Sequence, residues 1–165
     1  MPIIDSILIE LDQEAATTRR VLERVPEASL AWKPHPKSMS LGQLALHVAS
    51  TPGRISEIVT SNSFEVPQFT QPAAKTAAEL LNTLDSGVAQ AKRTLGKMDD
   101  AFLQARWSLK RGEQVLFSAP RIGVIRTILL NHWYHHRGQL SVYLRLLDVP
   151  VPSIYGPSAD ENPFG

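Results

Sequence analysis

The sequence predicts an all-α domain spanning residues 1–165: a bundle of four helices with a small β-hairpin between the third and fourth. Three observations carry this expectation. Four stretches repeat apolar residues at three- and four-residue steps opposite a polar face. Two of them open on Ser or Thr followed three residues later by Gln or Glu, the pattern that satisfies free N–H groups at a helix start. The link between the second and third helices is long enough to return along the bundle, so an up-down-down-up order is allowed.

The first helix, residues 3–25, aligns Ile4, Ile7, Leu8, Leu11, Ala15, Leu22 and Val25, and Pro26 ends it. The second begins at "SLGQ", with Ser40 as N-cap and Gln43 completing a capping box. Leu44, His47, Thr51, Ile55 and Val59 share one of its faces, and Pro52 predicts a kink. The third opens on a second capping box, Thr76 and Glu79. It carries Leu80, Leu84, Val88 and Leu95, and stops at Gly96. The fourth starts near Pro120 and runs to about Asp148. Before it, "RWSLKRGEQVLFS" alternates around Arg111 and Gly112 and predicts the hairpin. The link at residues 62–75 reaches ~45 Å when extended, more than the ~33 Å of the second helix, so those two helices can run parallel.

Composition narrows the function. A chain of 165 residues can bury roughly 70% of the surface its unfolded form exposes. Its net charge of +1 argues against a nucleic-acid partner, which would call for a basic excess on one face. With no cysteine, disulfides, thiolate metal sites and an intrinsic nucleophilic thiol are all excluded. The start lacks a basic leader, and no apolar run approaches the ~20 residues of a membrane span. A cytoplasmic protein with no membrane partner is expected.

The histidines carry the chemistry. On the fourth helix Ile122, Ile125, Leu129, His132, His136, Leu140, Tyr143 and Leu147 form one stripe. His132 and His136, four residues apart, have the spacing at which two imidazoles grip one ion. His47 is a third histidine inside an apolar stripe. If helices two and four are antiparallel, His47 lies ~11 Å and His136 ~18 Å from one shared end, which are compatible depths. The alternative for each is an ordinary core histidine bonded to a carbonyl or water. As a site, three neutral imidazoles leave an ion its charge and an open position, as in catalytic centres. Imidazole suits several divalent ions; zinc is expected, with nickel, iron or manganese as alternatives.

"NHWYHHRGQL" (131–140) resembles the H-x3-H-R-G-Q signature of the DinB/YfiT-like superfamily of metal-dependent enzymes. "AWKPHPKSMSLGQLALHVAS" (31–50) and "YLRLLDVPVPSIYGPSADENPFG" (143–165) are similar to the family's loop, capped helix and ending. The resemblance implies a four-helix bundle in up-down-down-up order, commonly a homodimer, with a metal triad at His47, His132 and His136. It implies two chemistries on a small-molecule substrate: water activated for hydrolysis, or transfer of a low-molecular-weight thiol. Some thiol-using relatives carry Glu where this chain has His132. A binding module that holds a metal without catalysis is the third reading.

Around the triad, Gln139 and Tyr143 are candidate pocket residues, and Trp32, His35 and Tyr155 a candidate substrate wall. The loop at 26–39 and the tail at 149–165 leave the bundle at the end nearer the metal, which is the expected substrate entrance. Asp160 or Glu161 is placed to reach a cationic partner there. The competing expectation is that the tail seals the helix ends. His135 is expected on the surface or a dimer face, and Arg137 in an ion pair. Leu130, Trp133 and Val142 make the fourth helix apolar on a second side, which packing against the hairpin or a subunit interface would explain.

Overall fold

The computed structural model describes residues 2–66, 68 and 70–165. The order is α1 (Ile3–Leu22), a 3-10 turn (Glu27–Ser29), α2 (Leu41–Ile58), β1 (Ser63–Glu65), α3 (Ala77–Leu95), α4 (Asp100–Gln104), β2 (Arg106–Arg111) and β3 (Gln114–Pro120). Then α5 (Arg121–Val124), a π-helical stretch (Ile125–Asn131) and α6 (His132–Leu146) follow without a break. The fold is mostly helical with a small three-stranded sheet. None of its described helices is long and apolar enough to cross a membrane.

Contacts between side chains and backbone give the helix directions. α2 and α3 lie side by side and point the same way: Gly42 O accepts from Ala74 N at 3.2 Å. One end further on, a Cβ added to Gly53 would sit 2.9 Å from the Cα of Gly87. Only glycine permits that approach. α1 runs against α3, with Lys92 bound to Asp12 at 2.7 Å and Arg19 paired with Asp85. The final helix runs against α2. Tyr143 donates to Met39 O, Trp133 Nε1 to Val48 O and Arg121 Nε to Val59 O, at 3.2, 2.8 and 2.7 Å. Leu11, Leu44, Val48, Leu80, Leu84, Leu129, Trp133 and Leu140 form the interior of this stack, each apolar side chain contributing about 1.5–3 kcal/mol of burial.

Several boundaries differ from the sequence expectation. α1 ends at Leu22 rather than residue 25. The box at Ser40 and Gln43 is complete. At the second, Thr76 accepts from Glu79 N, but the Glu79 carboxylate takes the N–H of Lys75 rather than that of Thr76. Pro52 lies inside an unbroken helix. The hairpin is there, turning at Gly112 with φ +57°. It gains a third strand, because β1 rises from the link at 62–75 to pair in parallel with β2; Pro67 and Phe69 of that link lie outside the described residues. α4 was not anticipated. It is one short turn capped by Asp99, whose carboxylate accepts from Phe102 N.

The largest departure is in the last helix. Its buried residues are Arg121, Val124, Ile125, Leu129, Leu130, Trp133, Arg137, Leu140 and Leu144. Extending the spacing of Leu144, Leu140, Arg137 and Trp133 backwards would bury Arg126, which is exposed. The buried stripe instead slips by one residue, and the slip falls in the π-helical stretch. A π turn holds one residue more than an α turn, so it absorbs the offset. The eight residues of the stripe expected from Ile122 to Leu147 are all buried or half-buried, but the fully buried residues form two stripes joined by that stretch.

Candidate metal centre

Two helices bring the three histidines together. The N–H groups at the start of α2 are tied down: Ser40 and Gln43 bond reciprocally, Leu41 N donates to Trp32 O and Gly42 N to Leu30 O. That fixes the helix on which His47 lies two turns in. Trp133 is fully buried, and its indole bond to Val48 O docks α6 beside His47. His132 and His136, one turn apart on α6, then face His47. Ring centroids are 5.1 Å apart for His47 and His132, 4.5 Å for His47 and His136, and 4.4 Å for His132 and His136. One ring nitrogen from each lies within 4.8 Å of the other two.

This donor set fits a divalent ion. The Nε2 atoms of His47 and His132 face each other at 2.9 Å. Around zinc, bonds of about 2.0–2.1 Å in tetrahedral geometry separate neighbouring nitrogens by roughly 3.3 Å. Small ring rotations reach that spacing from the observed one. The third nitrogen is set by Gln139: His136 Nδ1 lies 2.8 Å from Gln139 Oε1, an acceptor that draws the ring proton to Nδ1 and leaves Nε2 with its lone pair. The site also keeps its imidazoles neutral. Burial is the main cause of a lowered pKa at all three. It falls to about 4 at His47, where His136, His132 and Arg54 add positive potential. Neutral imidazole is the form that ligates.

The remaining candidates are more scattered. Tyr143 continues the His132 and His136 face and meets Trp32 edge-on at 5.6 Å. His35 is exposed and accepts from Lys37 N at 3.2 Å. Tyr155 lies on the α1 side of α6, where its hydroxyl joins Arg137 and Glu14. Arg137 is buried in an ion pair with Glu14 at 2.6 Å and also reaches Thr18. His135 is exposed beside His136. Asp160 and Glu161 pair with Arg145 and Arg20, so both acids bind this chain's own cations. Leu130 and Trp133 are fully buried within the chain, and Val142 is exposed.

Sequence reasoning missed the α2 side of the site. Gln43, His47, Ser50 and Arg54 recur at four- and three-residue steps and line a narrow groove of about 20 Å³ with Thr70, Gln71 and Pro72. A larger groove of about 510 Å³ adjoins it at Gln43 and is lined by Glu27, Lys33, Ser40 and Lys75 among others. The periodicity of these polar residues was available. The apolar face of α2, with Leu41, Leu44, Ala45 and Val48, dominates its pattern and masks the polar one.

The sequence profile of the DinB family matches residues 4–162. The chain belongs to the DinB family. It is 30% identical over 164 residues to the uncharacterized protein YrdA of Bacillus subtilis strain 168, covering 96% of this chain and 91% of YrdA. Among solved structures, a DinB-like protein from Bacillus cereus ATCC 10987 aligns with a TM-score of 0.72 at 22% identity, over 92% of this chain and 97% of that one. The DinB-like protein YjoA of Bacillus subtilis aligns at 0.65 and 15% identity, over 87% and 92% of the two chains. Both share the fold of this DinB-family chain.

Proposed function

We propose that this DinB-family chain is a metal-dependent enzyme in which His47, His132 and His136 hold one divalent ion, zinc first, for hydrolysis of a small molecule. The convergence of three imidazole nitrogens from α2 and α6 within 4.8 Å carries the reading. An ion bound there supplies a Lewis acid that lowers the pKa of the group it activates. The chain's own residues do the rest. Gln139 holds the His136 tautomer, Trp133 locks α6 to α2, and Tyr143 with Trp32 walls the site towards the loop at 26–39.

The helix directions described above support a four-helix bundle in up-down-down-up order, formed as one domain. The exposed apolar side chains of Ile128, Val142 and Leu146 along the last helix support a homodimer through that face. A panel of esters, amides and phosphoesters, assayed after chelation and after reconstitution with zinc, tests the activity. Turnover that needs zinc and vanishes in His136→Ala is the expected result. Thiol transfer to an electrophile without hydrolysis of any panel member would replace this reading with the transferase one.

A further inference from the structure

The narrow groove at His47 and the larger one that shares Gln43 with it carry a charge pattern that the metal site alone does not explain. The narrow one, lined by His47 and Arg54, shares Gln43 with the larger one, where Lys33 and Lys75 belong to the loop before α2 and the link before α3. Of the residues lining both, three are cationic and one, Glu27, is acidic. The Glu27 carboxylate already accepts the Ala77 N–H at 2.8 Å. Lys33, Lys75 and Arg54 belong to none of the ion pairs among the described residues. At the start of α2 the Ser40, Gln43 and Gly42 N–H groups are already bonded within the chain. The cationic groups open to an incoming anion at this end are the Lys33 and Lys75 ammoniums. Ser40 lines the larger groove and His47 the narrow one, seven residues on, a separation of roughly 10 Å along α2.

We infer that the substrate of the proposed metal site is a slim anion, with its charged group held between Lys33 and Lys75 and its reacting end beside His47. This rests on the metal-site reading. Slimness follows from the narrow groove, whose 20 Å³ is about the room one water needs. Specificity follows from charge: two ammonium groups in a partly walled groove favour an anionic tail and reject a cationic one.

The probe is suberic monohydroxamate, a linear molecule with a metal-binding hydroxamate at one end and a carboxylate at the other. Its methyl ester is the uncharged control. Both are titrated into the cobalt-loaded full-length chain, with the cobalt absorption spectrum reporting whether the hydroxamate reaches the ion and calorimetry giving Kd. The carboxylate should bind roughly tenfold tighter than the ester, and the preference should shrink with added salt. In the Lys33→Gln/Lys75→Gln variant the preference should disappear while the ester's Kd stays the same; both lysines are exposed, so the variant is expected to fold. Equal affinities for the two probes, with the spectrum perturbed by both, would overturn the anion site and leave the metal reading standing. A chain that takes up no cobalt would overturn both.

Discussion

At the residue scale, His136 is held on two sides. Its Nδ1 faces Gln139 and its ring faces His47 and His132. A ligand histidine whose second nitrogen is fixed holds one tautomer and one orientation, and loss of that partner commonly costs 10–100-fold in metal affinity. Gln139→Leu should therefore weaken zinc binding about tenfold or more by competitive chelator titration, with little change in the melting temperature because Gln139 is exposed. Unaltered affinity would remove Gln139 from the site. Arg137 acts differently. It is almost fully buried against Glu14, and Arg137→Met would leave that carboxylate half-buried without its partner, a loss of about 3–5 kcal/mol in denaturant unfolding. At this scale the sequence was most legible, because His132 and His136 lie on one regular helix and four residues always bring two side chains to one face. Tyr155 was less so. Its place beside Arg137 depends on the path of an irregular tail, which no periodicity encodes.

At the element scale, the capped start of α2 could be read from Ser40 and Gln43 because a capping box is local. β1 could not: three residues gain strand geometry only from a parallel partner more than forty positions away. The π-helical stretch escaped for a related reason. Ile125, Leu129 and His132 look like a continuous α pattern, and only the exposure of Arg126 shows that the stripe has slipped. This gives a sharp test. Because the stretch carries one residue more than an α-helix requires, deleting the exposed Thr127 should let one α-helix bury both stripes. That variant should fold and keep its metal. Deleting the exposed Gly138, below the stretch, should swing Leu140 and Leu144 about 100° out of the core and destabilise the chain severely. Thermal unfolding and metal content of the pair decide between them; equal tolerance of both deletions would contradict the slip.

At the scale of the whole molecule, the tail is fastened to α1 and α6 by Arg20 with Glu161, Arg145 with Asp160 and Tyr155 with Arg137. The Asp160 carboxyl is held below its usual range by Arg145 and then by the Val151 N–H, and Glu161 by the Ser153 N–H first. Groups with depressed pKa values stabilise the fold above the ordinary carboxylate range and cease to do so as pH falls through their lower folded values. Amide protection factors at residues 151–161, taken relative to the intrinsic exchange rate at each pH, should be high at pH 7 and fall below about pH 4, ahead of those of the buried helices; an equal fall everywhere would show that the tail is held by packing alone. The homodimer reading predicts a particle of twice the chain's mass in light scattering, reduced to one chain by Val142→Glu/Leu146→Glu. The central claim is that α2 and α6 together build one metal site, and elemental analysis tests it most directly. After dialysis with zinc, the wild-type chain should retain about one ion, and His47→Ala and His136→Ala, each folded by circular dichroism, should retain almost none. Equal zinc in all three would contradict the account.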